Sequence, residues 1–158
     1  MQTFLPYPAM RDSLVVLDNK RLNKQILETY QILNILSGQS KSNAWRNHPA
    51  VLMWEGAESE LYRYGMNAII IASHRGIKTD KNESNMKALA KKAAHMWDED
   101  IPLWRKSPSI LKRVTATHKA NLYHKDPVFY SEFVSAVDSP SNKPCCDGCK
   151  YFWVTHTL

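Results

Sequence analysis

One carboxylate stands alone in a basic stretch. Between Asn19 and Trp54 the only Asp or Glu is Glu28, while Lys20, Arg21, Lys24, Lys41 and Arg46 are all cationic. On a helix Glu28 lies one turn from Lys24 and two from Arg21, so the three share a face. An exposed Lys24–Glu28 pair contributes only about 0.2–0.5 kcal/mol. A carboxylate placed in a phosphate-binding surface would repel DNA by itself. Such a group needs a chemical reason, and acid–base work or stabilisation of an oxocarbenium-like sugar is one.

A second basic segment has no carboxylate at all. From Arg105 to Lys125 it carries Arg105, Lys106, Lys112, Arg113, Lys119 and Lys125. Two helical segments of this kind either line one phosphate-binding face or form two separate solvated faces. His118, inside the second, suits a phosphate contact, proton transfer or a buried, hydrogen-bonded place in the core. Trp45-Arg46-Asn47-His48 joins an aromatic, a cation and two hydrogen-bonding side chains directly before a helix start, where a phosphate is favoured. Tyr7, Trp45, Trp54, Tyr123 and Tyr130 are candidates for stacking on bases, with core packing as the alternative for each.

These groups need rigid elements. Pro6 and Pro8 predict an extended arm over the first 16 residues. From Asp18 the apolar spacing of Leu22, Ile26, Leu27, Tyr30, Leu33 and Leu36 predicts a helix closed at Gly38. A long helix should start at Asn47-His48-Pro49 and run to His74, with Gly76 as its stop. Thr79 to Asn85 reads as a loop, Met86 to Trp97 as a shorter helix, and Ser107-Pro108 opens a helix through about His124. Pro127 starts a last turn or two. The expected class is all-α: a compact single-domain bundle of about four to five helices over residues 1–138, with the extended arm, and a Cys-containing tail over 139–158.

Composition bounds the function. The 158 residues are 44% hydrophobic and 23% charged, which fits a globular core. Lys plus Arg exceed Asp plus Glu by 21 to 15, a formal charge of +6 that attracts polyanions. Double-stranded DNA is the expected partner, with a monomeric chain and no membrane. The apolar run Ala68 to Ala72 is too short to span a bilayer, and the start Met1-Gln2-Thr3-Phe4-Leu5-Pro6 carries no secretory signal. The cysteines, at 145, 146 and 149, give no disulfide framework, so a cytoplasmic setting in a bacterial or phage-infected cell is expected. With His156 they make a Cys3His zinc site chemically conceivable, yet adjacent Cys145 and Cys146 rarely both reach one metal. No metal and no cofactor is expected; GxGxxG and GxxxxGK[ST] are both missing.

Asp18-Asn19-Lys20-Arg21-Leu22-(x5)-Glu28 resembles the first long helix of the pyrimidine-dimer DNA glycosylase family, the endonuclease V-like group. Similarity continues in His48-Pro49, in His74-Arg75-Gly76, and in Thr117-His118-Lys119-Ala120-Asn121-Leu122-(x2)-Lys125-Asp126-Pro127-(x2)-Tyr130, in the same order over roughly residues 1–135. The opening Met-x-Thr-Phe-Leu-Pro is closest to the broader phage and bacterial branch.

The resemblance implies a DNA N-glycosylase that flips a nucleotide out of the duplex and excises a damaged (pyrimidine-dimer) or modified base. Glu28 falls at the family's catalytic glutamate, Arg21 where the family uses a histidine, and Lys125 at a phosphate-contacting lysine. Asn121 stands where a DNA-binding arginine is usual, and Leu27 replaces the arginine before the glutamate. Expected DNA contacts are Lys20, Lys24, Arg46, Asn47, His48, His118, Lys119, Asn121 and Lys125.

In the family an N-terminal α-amine attacks the sugar, giving abasic-site lyase activity. An α-amine near pKa 8 has far more free base at neutral pH than a lysine near 10.4. Here Gln2 is a bulky second residue and the threonine comes at Thr3, so three routes stay open: the amine of Met1, water activated by Glu28, or Lys20 or Lys24 as the amine. The rival reading is a catalytically silent DNA-binding protein on the same scaffold.

Overall fold

The computed structural model describes residues 1–42, 44–138 and 151–155. Among these, every regular element is helical. In chain order the α-helices are α1 (Met10–Val15), α2 (Asn19–Leu36), α3 (Pro49–Leu52), α4 (Glu58–His74), α5 (Asp80–Ala93), α6 (Leu103–Lys106), α7 (Pro108–Lys125) and α8 (Val134–Val137), with 3-10 turns at Ala94–Met96 and Ser131–Phe133. The four long ones, α2, α4, α5 and α7, answer to the expected all-α bundle. No helix of the described residues is long and apolar enough to cross a membrane.

The centre of the molecule is α2 against α4, with α5 packed on both. The apolar stripes obey helical spacing: Leu22, Ile26, Ile32 and Leu33 are fully buried on α2, as are Leu61, Tyr64 and Ala68 on α4. Gly65 lets the three helices meet. A Cβ there would come within 2.7 Å of Thr29 Cγ2 on α2 and 2.7 Å of Met86 Cε on α5. Gly65→Ala should therefore lower the urea midpoint of unfolding. Overpacking costs about 1–3 kcal/mol, against a helix-propensity gain of up to about 1 kcal/mol. A raised midpoint would mean that Thr29 and Met86 yield freely.

Helix ends are set by local chemistry. Asp18 caps α2 by accepting from Arg21 N–H at 3.0 Å. Gly38 (φ 65°) and Gly76 (φ 74°) take the left-handed conformation after α2 and α4, as their positions predicted. Arg75 closes the α1–α2 corner by donating to the carbonyl oxygens of Leu17 at 2.7 Å and Val15 at 2.5 Å.

Three expectations about the elements need correction. The helix from Pro49 to His74 is broken into α3 and α4. Gly56 (φ 76°) turns the chain between them, and its N–H is taken by the Glu58 carboxylate at 3.1 Å. The segment from Asp80 to Asn85 is helical, since α5 starts at Asp80. Its polarity reflects exposure, and Asp80 and Glu83 suit the positive end of the helix dipole. Lastly, the arm ends early: α1 forms within the first 16 residues, with Leu14 fully buried and the Ser13 hydroxyl donating to the Tyr7 carbonyl oxygen at 2.8 Å.

Candidate active site

The N-terminal arm runs through the interior. Residues 2 to 6 are buried, and an extended strand without sheet partners must find acceptors elsewhere. Side chains supply them. Gln2 N–H donates to Glu28 Oε2 at 3.2 Å, Phe4 N–H to Gln25 Oε1 at 2.7 Å and Leu5 N–H to His118 Nδ1 at 2.7 Å. Thr3 N–H is bound by the Gln2 side chain at 2.8 Å, and Thr3 Oγ1 accepts from the Trp54 indole at 2.8 Å. The Tyr64 hydroxyl lies 2.7 Å from Gln25 Oε1 and 2.9 Å from the Phe4 carbonyl oxygen.

This threading delivers the α-amine of Met1 to Glu28. The amine nitrogen is 4.0 Å from Glu28 Oε1, and Lys24 Nζ is 3.6 Å from the same oxygen. Among the described residues the other oxygen faces neutral donors: Gln2 N–H and, at 3.5 Å, Gln25 Nε2. Glu28 is 7% exposed, so the pair of amines meets a carboxylate largely shielded from water. Lys24, by contrast, is 65% exposed and can leave for a phosphate. An open trough of about 540 Å³ is lined by Met1 and Glu28, by Gln31, Asn34 and Ile35 further along α2, and by Lys41 and Trp45.

The chain near residue 48 closes one side. His48 caps α3 with Nδ1 accepting from Ala50 N–H at 3.1 Å. Burial and the nearby Met1 ammonium push its pKa down, keeping the ring neutral. Its ring contacts Trp45 on one side and Trp153 on the other. Residues 151–155 thus pack on the site. Tyr151 lies against Phe4 and His118, and its hydroxyl pKa is raised by burial and by Glu28, despite a hydrogen bond to the Gln2 side chain. Cys145, Cys146, Cys149 and His156, the conceivable zinc ligands, lie outside the described residues.

Other expected site residues take varied places. Arg21 is paired with Asp18 at 2.5 Å and lies over the Tyr130 ring at 5.5 Å. Tyr130 donates to the same carboxylate at 2.6 Å. Burial alone would raise the Asp18 pKa, but the hydrogen bonds from Tyr130 and Arg21 outweigh it and hold it below its ordinary value. Arg21 is therefore engaged at the start of α2, about 10 Å along the helix from Glu28. Lys20, Asn47 and Lys125 are exposed. Arg46 is anchored to the Ile35 carbonyl oxygen and Glu55, and the Lys119 ammonium lies 4.5 Å from the Tyr7 ring centroid.

Two residues expected at DNA are not on the surface. His118 is fully buried beneath the arm, and Asn121 is buried with its amide donating to the Thr117 carbonyl oxygen at 2.8 Å. His118 points inward because it supplies the acceptor for Leu5 N–H, whereas the Asn121 amide is spent within its own helix. Gln25 and Gln2, whose side chains hold the arm, were not among the expected site residues. The signal for Gln25 was a polar side chain inside the apolar stripe of α2, three residues before Glu28.

Burial lowers the His118 pKa to about 3, below the value near 6.5 of an unfolded histidine. The unfolded chain therefore binds the extra proton between these values, and the contribution of the neutral ring is whole above pH 6.5 and lost as pH falls toward 3. The slope from this group is at most about 1.4 kcal/mol per pH unit. His118→Gln, which retains an acceptor for Leu5 N–H, should show a shallower fall of Tm between pH 6.5 and 3.5. Parallel curves would assign acid lability to other groups.

Comparison with known proteins bears on the N-terminal half. No curated protein and no solved structure matches the chain. The model of one family, described as pyrimidine dimer DNA glycosylase, matches residues 1–85, from Met1 into α5. That stretch holds the buried arm, Glu28 and the α2–α4 pair, and it exceeds half of the sequence. The chain belongs to the pyrimidine dimer DNA glycosylase family.

Proposed function

We propose that this DNA glycosylase uses the α-amine of Met1 as nucleophile and Glu28 as its proton-handling and charge-stabilising partner, excising a damaged or modified base that has been flipped from duplex DNA. The observation carrying this reading is the approach of the amine to Glu28 Oε1 while Oε2 is held by Gln2 N–H. Processing does not remove the pairing. Were Met1 cleaved, the new amine would be Gln2 N, already 3.2 Å from Glu28.

The steps follow from this arrangement. The free amine attacks the sugar carbon, the glycosidic bond breaks, and the base departs with the bonding electrons and takes up a proton. Loss of a proton from the attached nitrogen opens the sugar ring and leaves an imine between the amine and that carbon. Glu28 accepts and returns protons and offsets positive charge on the sugar. Hydrolysis frees the amine, or loss of the neighbouring sugar proton first expels the 3′-phosphate, which is the lyase reaction. Lys20, Lys24, Asn47 and Lys125, with exposed side chains, would grip phosphates, so affinity should fall steeply with salt.

The test is incubation with ultraviolet-irradiated duplex DNA under borohydride, followed by intact mass and peptide mapping. A reduced adduct on the peptide holding residue 1 is expected. Base release without an adduct would replace the amine with water activated by Glu28. Salt-sensitive binding with neither product from any damaged or modified duplex would leave a silent DNA-binding protein.

A further inference from the structure

Resting on the catalytic reading above, the lining of the trough points to its substrate class. We infer that the trough accepts a single extrahelical base enlarged by an uncharged, hydroxyl-bearing substituent. Its floor is the face of α2 that carries Glu28, Gln31, Asn34 and Ile35. From Glu28 to Ile35 that face rises about 10 Å, at 1.5 Å per residue. With the sugar carbon at the Met1–Glu28 end, an unsubstituted pyrimidine fills only the near part. The volume of about 540 Å³ lies within the range of about 300–1,000 Å³ that houses whole small-molecule ligands.

Beyond Glu28 along α2 the lining is mostly neutral and polar, with Gln31, Asn34, Gln39 and Ser40; Ile35, Lys41 and Trp45 complete it. Amides and hydroxyls both donate and accept, which suits hydroxyl groups on a ligand. Gln31 makes no side-chain hydrogen bond among the described residues, and the Asn34 amide spends one donor on the Tyr30 carbonyl oxygen, leaving its oxygen toward a ligand. Trp45, 53% exposed, offers a flat apolar face on which a base or the C–H face of a ring can lie. Apart from Glu28, no carboxylate of the described residues lines the trough.

The experiment uses the full chain and duplexes carrying a single 5-hydroxymethylcytosine, its glucoside, unmodified cytosine, a thymine dimer or a preformed abasic site. Base release from the two enlarged bases should exceed that from cytosine at least tenfold in kcat/KM, with the glucoside fastest. Gln31→Leu and Gln39→Leu change exposed positions and should retain the helical spectrum. Together they should cut the preference for the glucoside over the hydroxymethyl base at least tenfold. The inference is overturned if the dimer is excised, or an adduct forms at the abasic site, while the enlarged bases stay intact. It is equally overturned if their release ignores both substitutions. No product and no adduct from any duplex would sink the catalytic reading as well.

Discussion

Glu28→Gln should release base at least 10²-fold more slowly than the parent chain while binding duplex DNA as well or better. General acid–base groups contribute about 10²–10⁴-fold, and an amide keeps the shape of the carboxylate without its charge or its basicity. The amide oxygen can still accept from Gln2 N–H, so the arm should keep its path and the Tm should move little. Removing the only carboxylate of the basic stretch 19–54 also frees Lys24, whose ammonium now lies 3.6 Å from Glu28. Each cation released to a phosphate steepens the salt dependence of affinity by about one unit of slope. Turnover and filter-binding isotherms at several salt concentrations check both halves. Retained turnover would remove Glu28 from the chemistry, whatever happens to affinity.

A two-residue Gly-Ser extension before Met1 should abolish borohydride trapping. The amine becomes an amide, whose lone pair is delocalised and cannot attack carbon. The arm has reason to stay in place, since its backbone N–H bonds to Gln25 and His118 come from Phe4 and Leu5. A loss of adduct of at least 10³-fold with an unchanged Tm is the expected pair of results. An adduct that survives the extension and maps to α2 would make Lys24 the nucleophile. Among the described residues it is the side-chain amine paired with Glu28.

Much of the scaffold is legible in the sequence because helical periodicity and capping are local. Leu22, Ile26 and Leu33 announce α2, Gly38 and Gly76 mark ends that adopt positive φ, and Pro108 starts α7 where it was expected. The break before α4 was hidden because Met53 and Trp54 continue an apolar pattern, while Gly56 looks like any tolerated helix glycine. Of the places the sequence left open for His118, the structure takes the buried one, for a reason that is not local. What calls for a buried imidazole is the Leu5 N–H, 113 positions away, and no local pattern carries that demand. Arg46 looked like a phosphate ligand for the same reason: its acceptor on Ile35 and its partner Glu55 come from folding.

Carrying the arm inside the core ties the timing of activity to completion of the fold. The arm precedes all of its anchors in the chain, which are spread from Gln25 to His118, with Tyr64 and Trp54 between. Such long-range closure is slow relative to helix formation. A nascent chain that has made α2 and α4 holds the carboxylate but cannot yet bury Leu5 N–H. On the proposed mechanism, the arm that carries the Met1 amine is therefore fully anchored beside Glu28 only once residues as late as His118 have been synthesised.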